Sequence, residues 1–167
     1  NHLVSLQNSF FINNNIFKVD LAHSNNKLQE YEKWTRAEYD TDLASTQLNI
    51  SFIKPIIKNL KLTLGNQSSL QLNTNNPTTS QLIPDAQIND LGIFSILDYD
   101  INDWSFLFGM RYDIRNIIVE SVSYDKEFSA LSSSYGLSKK INNHKLRLSY
   151  SSAFRTPHFS ELLSNGV

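Results

Sequence analysis

Leu146-Arg147-Leu148-Ser149-Tyr150-Ser151-Ser152-Ala153-Phe154-Arg155-Thr156-Pro157 alternates with a period of two. That period predicts a pleated strand with different surroundings on its two faces. Leu146, Leu148 and Tyr150 point one way; Lys145, Arg147, Ser149, Ser151 and Arg155 point the other. Thr156-Pro157 is expected to end the strand, because proline offers no N–H to a ladder and restricts the residue before it.

Working back from this stretch, the same alternation recurs. Residues 2–11 set Val4, Leu6 and Phe10 against Ser5, Gln7 and Ser9, and Asn13-Asn14-Asn15 supplies a turn. A second strand is expected over Ile16–His23, and a third over Leu43–Lys54, closed by a short turn around Pro55 and Asn59. The fourth has the clearest pattern. Leu60, Leu62, Leu64, Leu70 and Leu72 hold even positions, whereas a helix would space them by three and four. Ile88–Ile101, Trp104–Asp113 and Phe128–Ser138 complete the set before the opening strand, with turns at Asn102-Asp103 and Ile141-Asn142-Asn143. The polar segment Asn25–Asp42 reads as a long loop with ragged strand extensions, with a short helix as the competing reading.

The fold expected is therefore all-β, an antiparallel up-and-down meander of about eight long strands. Its connections alternate: short at 13–15, 55–59, 102–103 and 140–143, long at 25–42, 73–87, 119–126 and after 155. In a meander this places the short turns at one rim and the long loops at the other, as in transmembrane β-barrels. Alternation does not say which face meets lipid. A soluble lipocalin-like β-barrel or β-sandwich ligand-binding module, with the apolar face as its core, is the alternative. Two features favour the membrane barrel. The polar faces carry mostly Ser, Thr, Asn, Gln and Gly, and Trp104 and Tyr112 end one apolar stripe as interfacial aromatics do.

Composition narrows the function classes. The 167 residues carry a formal net charge of -1, which gives no basis for nucleic-acid binding. There is no cysteine, hence no disulfide framework and no thiolate metal site. No apolar run of about 18 residues suggests a transmembrane helix. Hydrolase, Walker-loop and His-Glu-x-x-His motifs are missing, so no enzyme activity and no cofactor are expected. His2, His23, His144 and His158 are scattered, without metal-ligand spacing.

Several segments resemble the barrel of TonB-dependent outer-membrane receptors, of the iron-complex or siderophore-receptor type. Phe154-Arg155-Thr156-Pro157-His158-Phe159-Ser160-Glu161-Leu162 is similar to the family's Phe-Arg-x-Pro…Glu-Leu signature, and Ser164-Asn165-Gly166 fits what commonly follows. Gly109-Met110-Arg111-Tyr112-Asp113 resembles its Gly-x-Arg-Tyr-Asp strand. Leu82-Ile83-Pro84-Asp85, leading to Leu91-Gly92-Ile93-Phe94, looks like a loop-to-strand passage of iron-complex members. Asn26–Tyr31 departs from the family's Asn-x-Arg-x-Glu-aromatic strand end, since Leu28 stands at the arginine position.

The resemblance implies a plugged 22-stranded barrel. It implies import of a scarce nutrient, such as a ferric siderophore, haem or cobalamin, on energy relayed by TonB. Outer-membrane lipid, a plug domain, TonB and a small-molecule cargo are the implied partners, and the outer membrane of a Gram-negative bacterium the implied location. Residues 1–167 are then expected to be a partial barrel domain, with plug and remaining strands lying outside it. On this reading Arg111, Tyr112, Asp113, Phe154, Arg155, Pro157 and Glu161 are structural motif residues of the lumen and loops, Glu161 fixing the turn by pairing with Arg155. Arg111, Asp113, Arg147 and Arg155 share a lumenal face, as an ion-pair lattice toward the plug or as a path for an anionic cargo. Tyr31, Trp34 and Tyr39 are candidates for extracellular ligand contact.

Overall fold

The computed structural model describes residues 1–31, 37–77, 79, 84–119, 121 and 123–156. Eight strands follow one another: β1 (His2–Ile12), β2 (Asn15–Glu30), β3 (Tyr39–Ile57), β4 (Leu60–Asn75), β5 (Ala86–Ile101), β6 (Trp104–Val119), β7 (Tyr124–Ile141) and β8 (His144–Ser152). Every neighbour in sequence is a neighbour in the sheet, and all pairings are antiparallel. Among the described residues β1 and β8 are both edges, so the sheet they form is open.

Two-residue turns at 13–14, 58–59, 102–103 and 142–143 occupy one rim. Asn13, Asn102 and Asn142 each take φ of 52°, the left-handed region that asparagine tolerates better than most residues. The opposite rim carries the connections 31–38, 76–85 and 120–123. The order of short and long is as expected, but the loops are shorter, because the strands run further. Asn25–Asp42 is largely strand: β2 continues to Glu30, which pairs with Tyr39. Pro55 does not end β3; a register shift between Pro55 and Ile57 absorbs the missing N–H as a bulge. β8, by contrast, stops at Ser152, before Thr156-Pro157. There the Ser152 hydroxyl accepts the N–H of Ser133 at 3.2 Å, so a side chain rather than proline closes the ladder.

The registers sort side chains onto two faces. One is apolar across all strands: Leu6 faces Leu21, Leu21 faces Leu48, Leu97 faces Phe108, and Leu137 faces Leu148. Phe108, Tyr135 and Tyr150 form an aromatic row on it, with ring centroids 6.1 and 6.3 Å apart. This face is bare. Leu6, Leu131, Leu148 and Tyr150 are 60–70 % exposed, which is far more contiguous apolar surface than a water-soluble monomer presents. The lipocalin-type alternative requires the reverse: leucines buried in a calyx and β8 returning to pair with β1. Neither holds.

The other face is polar along most of its length. Its departure from expectation lies near the long-loop rim, where Ala86, Ile88, Ile117 and Val119 are buried on the polar side, with Tyr124 and Phe128 packed against them. A small core therefore caps the polar face at that end.

Candidate functional site

Below that core the polar face carries a lattice of charged and amide side chains. Asp90 and Arg115 stand directly opposite each other on β5 and β6. Arg115 Nε donates to Asp90 Oδ1 at 2.6 Å and Nη2 to Oδ2 at 2.8 Å, a bidentate fork. Ser69 Oγ, across the next ladder, adds a donor to Asp90 Oδ2 at 3.0 Å. Arg111 and Asp113 lie two residues apart on β6, hence on one face. Arg111 Nε donates to Asp113 Oδ1 and Oδ2 at 2.7 and 2.9 Å, and Nη1 reaches Gln67 Oε1 on β4.

Gly92 makes the second pair possible. It sits opposite Asp113, and a β-carbon there would fall 2.6 Å from Asp113 Oδ1 and collide with the Arg111 guanidinium. The absent side chain lets the ion pair lie flat on the wall. Gly65 serves Phe94 in the same way, since a β-carbon there would collide with the ring.

These groups line a cavity of about 480 Å³, which also touches Gln47, Asn49, Phe128, Phe154 and Thr156. Residues 153–156 thus cross from the end of β8 over the polar face. Chemically the cavity is a neutralised surface. Each arginine has its own carboxylate, so the wall presents hydrogen-bonding capacity without net charge. That arrangement disfavours a role as a trap for an anion. Among the described residues, no group of three or more His, Cys, Asp or Glu is placed to hold a metal.

The residues singled out from sequence scatter accordingly. Arg111 and Asp113 are together on the polar face, and Tyr112 points from the opposite, apolar face, 41 % exposed. Phe154 lines the cavity, and Arg155 is exposed beside it. Arg147 is on the same face but faces Ser138, which faces Ser105, roughly 20 Å down the strands from Arg111. It is not in the lattice. Pro157, Glu161 and Trp34 lie outside the described residues, and with them the Arg155–Glu161 pairing. Tyr31 is exposed at the end of β2, its hydroxyl donating to Gln29 Oε1 at 3.3 Å. Tyr39 is buried in the first residue of β3. Sequence reading passed over Gln67, Ser69, Asp90 and Arg115. Counting outward in equal steps from the Asn102-Asp103 turn brings Asp90 opposite Arg115, so the turn held the signal.

At the long-loop rim, outside the apolar band, Asp40 accepts from Gln29 at 3.1 Å and Asn76 at 3.3 Å, with Lys27 Nζ at 3.3 Å. Burial pushes its carboxyl up, but these hydrogen bonds and the Lys27 charge together hold it below the ordinary range. Asn75 and Asp85 tie the next loop down, Asp85 accepting the Asn75 N–H at 2.8 Å.

A family model described as TonB dependent receptor-like, beta-barrel, matches residues 3–167. No curated protein matches the chain in sequence. Among solved structures the chain resembles the FrpB iron transporter from Neisseria meningitidis in its F3-3 variant, with a TM-score of 0.74 and 13% identity over 93% of this chain and 28% of that one. The apoprotein form of the F5-1 variant gives a TM-score of 0.73 at 13% identity, over 93% of this chain and 29% of that one. The chain spans less than a third of the length of these transporters, and at this identity the similarity is one of fold.

Proposed function

Since the chain belongs to the TonB-dependent receptor-like β-barrel family, we propose that residues 1–167 form part of the barrel wall of an outer-membrane receptor. That receptor imports a scarce nutrient, with an iron complex the favoured cargo, by transport coupled to TonB. The observation that carries this reading is the continuous, bare apolar face of an open eight-stranded sheet backed by a polar face. Lipid on one side and an aqueous or plug-filled lumen on the other satisfy both. The fold shared with the FrpB iron transporter from Neisseria meningitidis supports the choice of cargo class.

Within this reading, Arg111 and Asp113 belong to the wall, where their mutual neutralisation leaves amides and hydroxyls to face a plug. Tyr112 faces lipid. Phe154, Arg155, Pro157 and Glu161 mark the exit from the wall into a loop, and Tyr31, Trp34 and Tyr39 are the candidates for cargo contact at the outer rim. Tyr31, with its exposed ring, is the favoured one of the three.

The test is uptake by the full-length protein. Cells carrying it should accumulate a radiolabelled iron complex when TonB is present and lose that accumulation when TonB is deleted. Uptake indifferent to TonB, or recovery of the protein in the soluble fraction with a cooperative melt in plain buffer, overturns the proposal.

A further inference from the structure

The charges of the apolar face are divided between its ends. Among the described residues its carboxylates, Asp40, Asp42, Asp125 and Glu127, lie near the long-loop rim, by their pairings with Gln29, Lys27, Ile118 and Asn116. At the short-turn rim the same face carries lysines instead. Lys54 faces Leu62, and Lys139 faces Trp104. Asp98 turns to the opposite face, where it takes Lys61 at 2.9 Å, and Asp103, in the turn beside Trp104, is in no ion pair among the described residues. Among the described residues, Lys54 and Lys139 have no carboxylate partner.

Lys139 is held in a defined place. Its ammonium lies over the Trp104 ring, 4.6 Å from the centroid, and Trp104 packs on Phe106 at 6.3 Å. Tyr99 continues the row against Phe106 at 6.2 Å. Aromatic rings at the end of an apolar band sit at the level of lipid headgroups, and long cationic side chains reach the same level while their stems stay among acyl chains. An unpaired ammonium there meets phosphate oxygens first.

We propose that the short-turn rim of this wall selects anionic phospholipid headgroups, binding their phosphates through Lys139 on Trp104 and, about four strand spacings away, through Lys54. The separation, roughly 19 Å, gives each lysine its own lipid. The choice of lipid over a soluble anion follows from continuity: both lysines stand on the face that the barrel reading gives to the membrane, and the inference rests on that reading.

Native mass spectrometry of the full-length protein tests it. The protein is extracted from vesicles of equal parts phosphatidylglycerol and phosphatidylcholine, and its retained lipids are counted. Retention should favour phosphatidylglycerol by about fivefold per lysine, the size expected for one cation near an anionic surface. The Lys54→Gln/Lys139→Gln variant should retain the two lipids in nearly equal amounts, and Lys54→Arg/Lys139→Arg should restore the preference. Lys145→Gln, on the polar face, should leave it unchanged. Equal retention by the unmodified protein, or undiminished preference in the double glutamine variant, overturns the proposal while the inserted barrel stands. A protein that does not enter the vesicles and shows no heat-modifiable mobility overturns the barrel reading itself.

Discussion

The two ion pairs of the polar face share a chemistry and differ in what they connect. Asp90 and Arg115 join β5 to β6 through a fork, with side chains 25 and 22 % exposed. Arg111 and Asp113 sit on one strand, 34 and 38 % exposed, and pair across no ladder at all. The first therefore reports on register, because a slip of one residue would carry Asp90 to the other face. The second survives any slip of β6 as a unit. What ties it to its surroundings is the Gly92 gap and the reach to Gln67. Two pairs that look alike in composition thus differ in their structural reach.

The comparison breaks most sharply at Gly92. Gly92→Leu should destabilise the full-length barrel by about 3 kcal/mol, the upper end for forcing bulk into a packed site, read as a lower urea midpoint in detergent micelles. The same-strand pair should be displaced while Asp90–Arg115 persists. Next in size is Asp90→Ala, which strands a partly buried guanidinium and should cost about 1–2 kcal/mol. A double-mutant cycle with Arg115→Ala should show coupling in the same assay; strict additivity would mean the fork contributes nothing. Asp113→Ala should cost less than about 1 kcal/mol, since an exposed pair is screened by solvent. A loss equal to that of Asp90→Ala would erase the distinction drawn between the pairs.

The smallest effect is a pH slope at Asp40, outside both pairs. Its folded carboxyl is held below the ordinary value of 3.8. The stabilisation is thus complete above that ordinary value and is lost as pH falls through the lowered folded one. Asp40→Asn should flatten the acid limb of the stability curve by lowering stability slightly at neutral pH and leaving it little changed in strong acid. An unaltered acid limb would show that the Lys27, Gln29 and Asn76 contacts do not favour the charged form in solution.

Much of this fold is legible in the sequence, for a physical reason. Alternation in β4 and β6 is a direct imprint of two unlike solvents on a pleated chain, and asparagine turns record where it reverses. Strand ends were less legible. β2 runs through Ser24-Asn25-Asn26-Lys27 because a ladder needs backbone partners, not apolar side chains, and β3 supplies them up to Tyr39. The bulge at Pro55 and the early stop at Ser152 depend on the neighbouring strand in the same way. In the site, Arg111 and Asp113 were visible as neighbours in sequence. Asp90–Arg115 required register, and the buried cluster at Ile88 and Ile117 required knowing that the polar face closes at one end.

The two free edges bear on how such a wall comes into being. Each leaves about half of its N–H and C=O groups without partners, and in hydrocarbon every such group costs several kcal/mol. Strands of 11 and 9 residues put the total on the order of tens of kcal/mol. No side-chain contact described above offsets a sum of that size. On the membrane reading proposed above, insertion of this sheet is inseparable from ring closure: each added strand moves the penalty one place along, and only the last removes it. Cooperativity here belongs to the circumference, and the eight strands are stable in lipid only as an arc of it.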